Sequence, residues 1–119
     1  MIKELSQSYR GEEKRRFERV DIAPAQVEVL DSKGRPAGVL RQLARGGFSM
    51  EPQKPYKNDD ATIYDFTIHD AEEEIRADVQ ARVRFTDDQL AGFEFVDLNA
   101  DSAVDIGIII GKYYEHNKR

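Results

Sequence analysis

The chain has 119 residues, 39% of them hydrophobic, and a formal net charge of −5, which bounds it to one domain with a modest core. It contains no cysteine, so a disulfide framework and a thiolate metal site are excluded. A pI near 5.1 argues against a generic grip on DNA or RNA, because binding by counterion release needs a broad basic surface. Residues 1–13 are polar, with Ile2, Leu5 and Tyr9 as their apolar anchors, and read as a flexible leader ahead of a domain spanning 14–119. The N-terminus lacks the apolar core of a signal peptide, and no apolar run approaches membrane-spanning length. The expectation is a cytoplasmic protein without membrane insertion.

The next six residues, Lys14-Arg15-Arg16-Phe17-Glu18-Arg19, concentrate positive charge in an acidic chain. Through residue 19 there are six cationic and four anionic side chains, which leaves −7 for the remaining hundred residues. Arginine presents a planar, permanently charged fork that fits a phosphate or the O6/N7 edge of guanine with two hydrogen bonds. Arg15 and Arg19, four apart, share one face if the segment is a helical turn, whereas a loop could wrap both around a small anion. A small negative guest is the chemistry this pattern suits.

From Val20 the chain becomes extended. Pro24 interrupts it, and Ala25, Val27 and Val29 then alternate with Gln26, Glu28 and Leu30, a strand with one buried face. Turn formers fill Asp31-Ser32-Lys33-Gly34-Arg35-Pro36, and alternation resumes through Val39 to Leu43, so the two runs predict a hairpin. Arg45-Gly46-Gly47 breaks the second strand, and the paired glycines permit either positive φ or a close backbone approach before Phe48-Ser49-Met50 extends again.

Pro52 to Asp60 reads as a loop, and Tyr64, Phe66 and Ile68 then mark another half-buried strand. After a turn over Ala71 to Glu74 comes the strictest alternation in the chain: Ile75, Ala77, Val79, Ala81, Val83 and Phe85 on one face, with polar residues between them. A polar turn at 86–89 leads to a strand over Ala91 to Leu98, whose Gly92 suits a close crossing. The period then changes to about 3.6, with Asn99 or Asp101 as N-cap and Ala103, Ile106, Ile109, Ile110 and Tyr113 recurring at helical spacing. The isoleucine run also suits a strand; a helix is preferred because it plugs one end of a sheet or barrel. Six or seven strands with one terminal helix predict a mainly β fold, a small antiparallel β-barrel.

Arg15-Arg16-Phe17-Glu18-Arg19-Val20 resembles the RxxxR leader of the PilZ domain family. That family's second signature, [D/N]xSxxG, falls on Gln42-Leu43-Ala44-Arg45-Gly46-Gly47, and Ala91-Gly92-Phe93-Glu94-Phe95 resembles its glycine-aromatic strand. The resemblance runs from about Lys14 to about Tyr113. It implies a six-stranded antiparallel β-barrel with a C-terminal helix that binds cyclic di-GMP, with Arg15, Arg16, Arg19, Gln42, Arg45 and Gly47 as the ligand-binding residues. A protein effector, controlling motility, adhesion or biofilm traits, is the implied partner, and the chain is expected as a monomer or homodimer. The sequence departs from the signature at Gln42, where Asp or Asn is usual, and at Ala44, where Ser is usual. Losing a charge-assisted contact and a neutral one costs roughly 2–4 kcal/mol unless something compensates. A module that has lost its ligand and works through protein contacts alone is the alternative.

No cofactor, metal or catalytic residue is expected. His69 and His116 read as solvent-exposed, and no histidine pair has metal-ligand spacing. Acids at Asp59-Asp60, Glu72-Glu73-Glu74 and Asp87-Asp88 fall in turns, where solvated carboxylates are ordinary. No serine has the strand-turn-helix setting of a nucleophile elbow, and Gly46-Gly47 leads into a strand, unlike a phosphate loop that opens a helix.

Overall fold

The computed structural model describes residues 20–22, 27–59 and 61–117, with side chains through Tyr114. Seven strands and one helix follow in order: β1 (Val20–Asp21), β2 (Val27–Leu30), β3 (Pro36–Ala44), β4 (Gly47–Pro52), β5 (Tyr64–Asp70), β6 (Ile75–Thr86), β7 (Ala91–Phe95) and α1 (Ala100–Asn117). Hydrogen bonding runs β1-β3-β2-β5-β6-β7-β4, all antiparallel, and β4 returns to pair with β3. Six strands therefore close a barrel, and the two-residue β1 adds an extra strand outside the ring. Closure leaves no open sheet edge among the six.

The expected hairpin is β2–β3. Its turn is stapled by Asp31, whose Oδ1 accepts the backbone N–H groups of Lys33 and Arg35, each at 2.9 Å. Inward-facing residues from every strand fill the barrel. Phe48, Phe66 and Phe93 form its aromatic centre, with Phe48 stacked on Phe93 at 5.1 Å. Tyr56, from the loop after β4, meets Phe93 edge-on at 5.4 Å and closes one end. At the other end α1 inserts Ile106, Ile109 and Tyr113. Asn99 caps the helix, its Oδ1 accepting Ser102 N–H at 2.8 Å, and Ser102 Oγ in turn donates to the Asp78 carbonyl.

Irregularities interrupt two of the pairings. A register shift falls between Val29 and Leu30 on the β3 side, yet Leu30 stays opposite Thr67 on the outer face, where simple alternation put it, and is buried there beside the groove at Asp31 and Asp78. Another, between Val83 and Phe85, ejects Phe85 from the core face to leave it 45% exposed. The last strand ends at Phe95 rather than Leu98, because Asp97 adopts φ 50°, outside the β region. His69, expected in solvent, is only 14% exposed at its side chain, and its Nδ1 lies 3.2 Å from Glu28 Oε2 across the β2–β5 ladder. The His116 side chain lies outside the described ones.

The turn acids are also engaged. Asp70 is fully buried: its Oδ1 accepts the N–H groups of Glu72 and Glu73, and its Oδ2 accepts Lys112 Nζ at 3.0 Å. The same ammonium reaches Glu72 at 2.6 Å and Glu73 at 3.6 Å. Burial alone disfavours the Lys112 charge, but the hydrogen bonds to Glu72 and Asp70 outweigh it and hold the ammonium above the usual lysine range. This cluster latches the β5–β6 turn to α1.

Candidate functional site

The site is built on the β3–β4 hairpin and the strands beside it. Register places Asp21 opposite Gln42, Gln42 opposite Ser49, Ser49 opposite Gly92, and Gly92 opposite Phe85. The chain neighbours Val20, Ile22, Leu43, Phe48, Met50, Ala91 and Phe93 are buried in the core, and the shift after Val83 turns Phe85 out opposite Gly92, so this row lies across the outside of the barrel. A register shift between Leu40 and Gln42 keeps Gln42 in line with Ser49.

Along the row the polar groups are unequally satisfied. Gln42 Nε2 donates to Asp21 Oδ1 at 2.9 Å, which leaves the Gln42 carbonyl as an acceptor beside an anionic carboxylate. Ser49 is only 7% exposed, yet its hydroxyl has no hydrogen-bond partner among the described residues. A buried, unmatched hydroxyl costs about 1–3 kcal/mol, so it is an exception that calls for an explanation. At Gly92 a side chain is impossible in place, since a Cβ would sit 2.0 Å from Cε2 of the Phe85 ring. The ring thus lies against the strand with part of its surface open.

The hairpin turn, Arg45-Gly46, closes the row at the helix end. Gly47 answers the question its sequence posed in favour of close approach: a Cβ there would lie 2.1 Å from the Phe93 carbonyl oxygen. Arg45 is exposed, and no ion pair among the described residues holds it. Its guanidinium rests beside α1, where a Cβ on Gly107 would be 3.7 Å from Nη1.

Of the expected ligand-binding residues, Gln42, Arg45 and Gly47 therefore meet on one hairpin. Arg15, Arg16 and Arg19 lie outside the described residues. Asp21, Ser49 and Phe85 were not singled out by sequence. For Asp21 and Ser49 the signal was present, because alternation with buried Val20, Ile22, Phe48 and Met50 points both outward. Phe85 gave none, as a bulge reverses its face.

A groove of about 570 Å³ on the far side of the barrel is the competing site. Asp31, Asp65, Asp78 and Asp97 line it against one cation, Arg76. Thr67 already occupies Asp78, and Gln80 occupies Asp65. Its sign is wrong for a phosphate ligand. Among the described residues no group of His or carboxylate side chains could hold a metal ion, and no helix is long and apolar enough to cross a membrane.

A closed six-stranded antiparallel barrel with a polar outer row and a terminal helix places the chain in the class of small antiparallel β-barrels. Comparison with known proteins narrows it. The PilZ domain family matches residues 13–110, most of the chain, and the protein belongs to that family. No curated protein sequence matches significantly. Among solved structures, the PilZ domain of CeSA from a cellulose-synthesizing bacterium is similar, with TM-score 0.58 and 18% identity over 80% of this chain and 96% of that one. The PilZ domain of YcgR from Escherichia coli, solved with c-di-GMP, has TM-score 0.62 and 14% identity over 88% of this chain and 95% of that one. The Bacillus subtilis inhibitor of motility MotI/DgrA has TM-score 0.64 and 19% identity over 89% of this chain, which spans 53% of that protein's length. These likenesses establish the expected barrel.

Proposed function

We propose that the protein is a cyclic di-GMP receptor whose ligand sits on the outer row at the β3–β4 hairpin. The observation that carries the reading is the hydrogen-bonding and charge capacity there that no described residue takes up: the Ser49 hydroxyl without a partner and Arg45 without an ion pair among the described residues. Arg19 directly precedes Val20, whose backbone pairs with Leu43, so the basic stretch joins the barrel beside this row. In this reading Arg15, Arg16, Arg19 and Arg45 hold phosphates and guanine edges. Gly47 lets the backbone come close, and Phe85 offers an aromatic face to a base.

Asp21 compensates for the departure at Gln42. Glutamine carries no charge to attract the N–H groups of a guanine, but Asp21 places a carboxylate 2.9 Å from its amide. The pair presents an anionic acceptor and a neutral one side by side, which restores the charge the signature lacks. The leader, residues 1–19, orders around the ligand and changes the surface offered to a protein effector. The similarity to MotI/DgrA, an inhibitor of motility, suggests the kind of process controlled. The reading is of a binding module and assigns no chemical step.

Isothermal titration of the full chain with cyclic di-GMP tests it. Each charge-assisted contact contributes about 1.5–3 kcal/mol, so an Arg15→Ala, Arg19→Ala double variant should bind about 100-fold more weakly or worse. Heat from the wild type that persists in the double variant would move the site elsewhere. A silent wild type would favour a PilZ module acting through protein contacts alone.

A further inference from the structure

Glu94 stands beside the ligand row with a charge that a purely anionic guest would not call for. On the outer face of β7 it lies cross-strand from Gly47 on one side and from Arg82 on the other, two residues along from Gly92. Two cations from β6 brace its half-exposed carboxylate: Arg84 Nη1 donates to Oε1 at 3.2 Å, and Arg82 Nε lies 4.0 Å from the same oxygen. No described residue donates to Oε2. A phosphate subsite would need the two guanidiniums alone, so an acid between them and Gly47 answers to hydrogen-bond donors instead. Asp21 repeats the arrangement at the other end of the row, where Gln42 Nε2 donates to its carboxylate at 2.9 Å.

We propose that Glu94 and Phe85 form a second guanine-reading subsite, an inference that rests on the cyclic di-GMP reading above. Strand β1 pairs with β3, β3 with β4 and β4 with β7, so the two acids are three strand steps apart with Ser49 and Gly47 between them. At about 4.8 Å per step they are about 14 Å apart across the sheet. Gly92, under the Phe85 ring, is two residues or about 7 Å from Glu94 along β7, so a base stacked on the ring presents its edge to the carboxylate. Guanine carries N1–H and N2–H donors side by side on that edge, whereas adenine has an acceptor at N1 and is repelled by an acid. One guanine of the ligand meets Asp21 and Gln42, the other stacks on Phe85 and donates to Glu94, and the ribose–phosphate ring passes over Ser49 and Gly47. Arg84 and Arg82 are positioning residues that hold Glu94 in place.

Calorimetric titration of the full chain with cyclic di-GMP and with cyclic GMP-AMP, which has a single guanine, tests the proposal. The wild type should bind the hybrid about 10- to 100-fold more weakly, the loss of one charge-assisted contact. Glu94→Gln should bring the two affinities within about threefold of each other, because an amide accepts from guanine and also pairs with adenine. It should melt with the wild type, since an exposed ion pair contributes little. Phe85→Leu should weaken both ligands about 10-fold and keep their ratio, because stacking does not distinguish the bases. A wild type silent toward both ligands would remove the receptor reading itself. Binding of cyclic di-GMP with no preference over the hybrid, or with a preference that Glu94→Gln leaves intact, would overturn the subsite alone. So would a Glu94→Gln variant that tightens both ligands equally, which would make the acid a mere shield on Arg82 and Arg84.

Discussion

Two polar clusters sit on opposite parts of one barrel and differ in a single respect. Around Asp70 the acceptors are occupied: two backbone N–H groups and an ammonium surround a fully buried carboxylate, and the ammonium itself has three acidic neighbours. Along the row from Asp21 to Phe85 the accounts stay open among the described residues, with a buried hydroxyl unmatched and Arg45 unpaired. Completed networks hold a fold together, and incomplete ones wait for something else to complete them. That contrast, more than charge or depth, separates the latch from the candidate site.

The latch should respond to mutation in stability alone. Lys112→Met leaves the Asp70 carboxylate buried without its cation, and the expected loss is about 3–5 kcal/mol by urea unfolding. Ligand affinity of the folded protein should stay within twofold. Because the lysine pKa is raised in the folded state, its contribution is fully present below the ordinary value of 10.5 and is lost only as pH rises through the higher folded value. The difference between wild type and variant should therefore be flat from about pH 6 to 9 and shrink above about 10.5. A difference that disappears near neutrality would mean that the ammonium is not what the latch depends on.

The row should behave in the opposite way. Arg45→Gln removes an exposed charge that no described carboxylate holds, so stability should change by no more than about 0.5 kcal/mol. Affinity for cyclic di-GMP should fall about 10- to 100-fold, the loss of one charge-assisted contact. The smallest effect, and the sharpest in sign, belongs to Ser49→Ala. Removing a buried hydroxyl that has no partner among the described residues should leave the fold as stable or more stable by roughly 1 kcal/mol, while ligand affinity weakens several-fold. A variant that loses stability and keeps its affinity would return Ser49 to the structural class.

Most of the barrel was legible because its strands alternate and its turns carry turn residues. The β2–β3 hairpin, the length of β6, the helix over the isoleucine run and its Asn99 cap all follow from local pattern. Bulges were not legible. A one-residue shift between Val83 and Phe85 depends on which partner strand the chain meets, and period-two reading carries through it on the wrong face. The latch was hidden for a similar reason: Asp70 and Lys112 lie 42 residues apart, and either one alone reads as a solvated surface charge. Of the candidate site, the hairpin half was visible in Gln42, Arg45 and Gly47. Asp21 was passed over although it neighbours the basic stretch, since only strand pairing shows that it faces Gln42.

Amide chemical shifts followed during titration with cyclic di-GMP compare the two regions in one experiment. The account predicts perturbations at Asp21, at Arg41 through Ser49 and at Ala91 through Phe93, with Asp70 through Glu74 and Lys112 unmoved. Shifts concentrated at the Asp70–Lys112 latch or in the acidic groove at Asp65 and Asp78, with the hairpin silent, would contradict it.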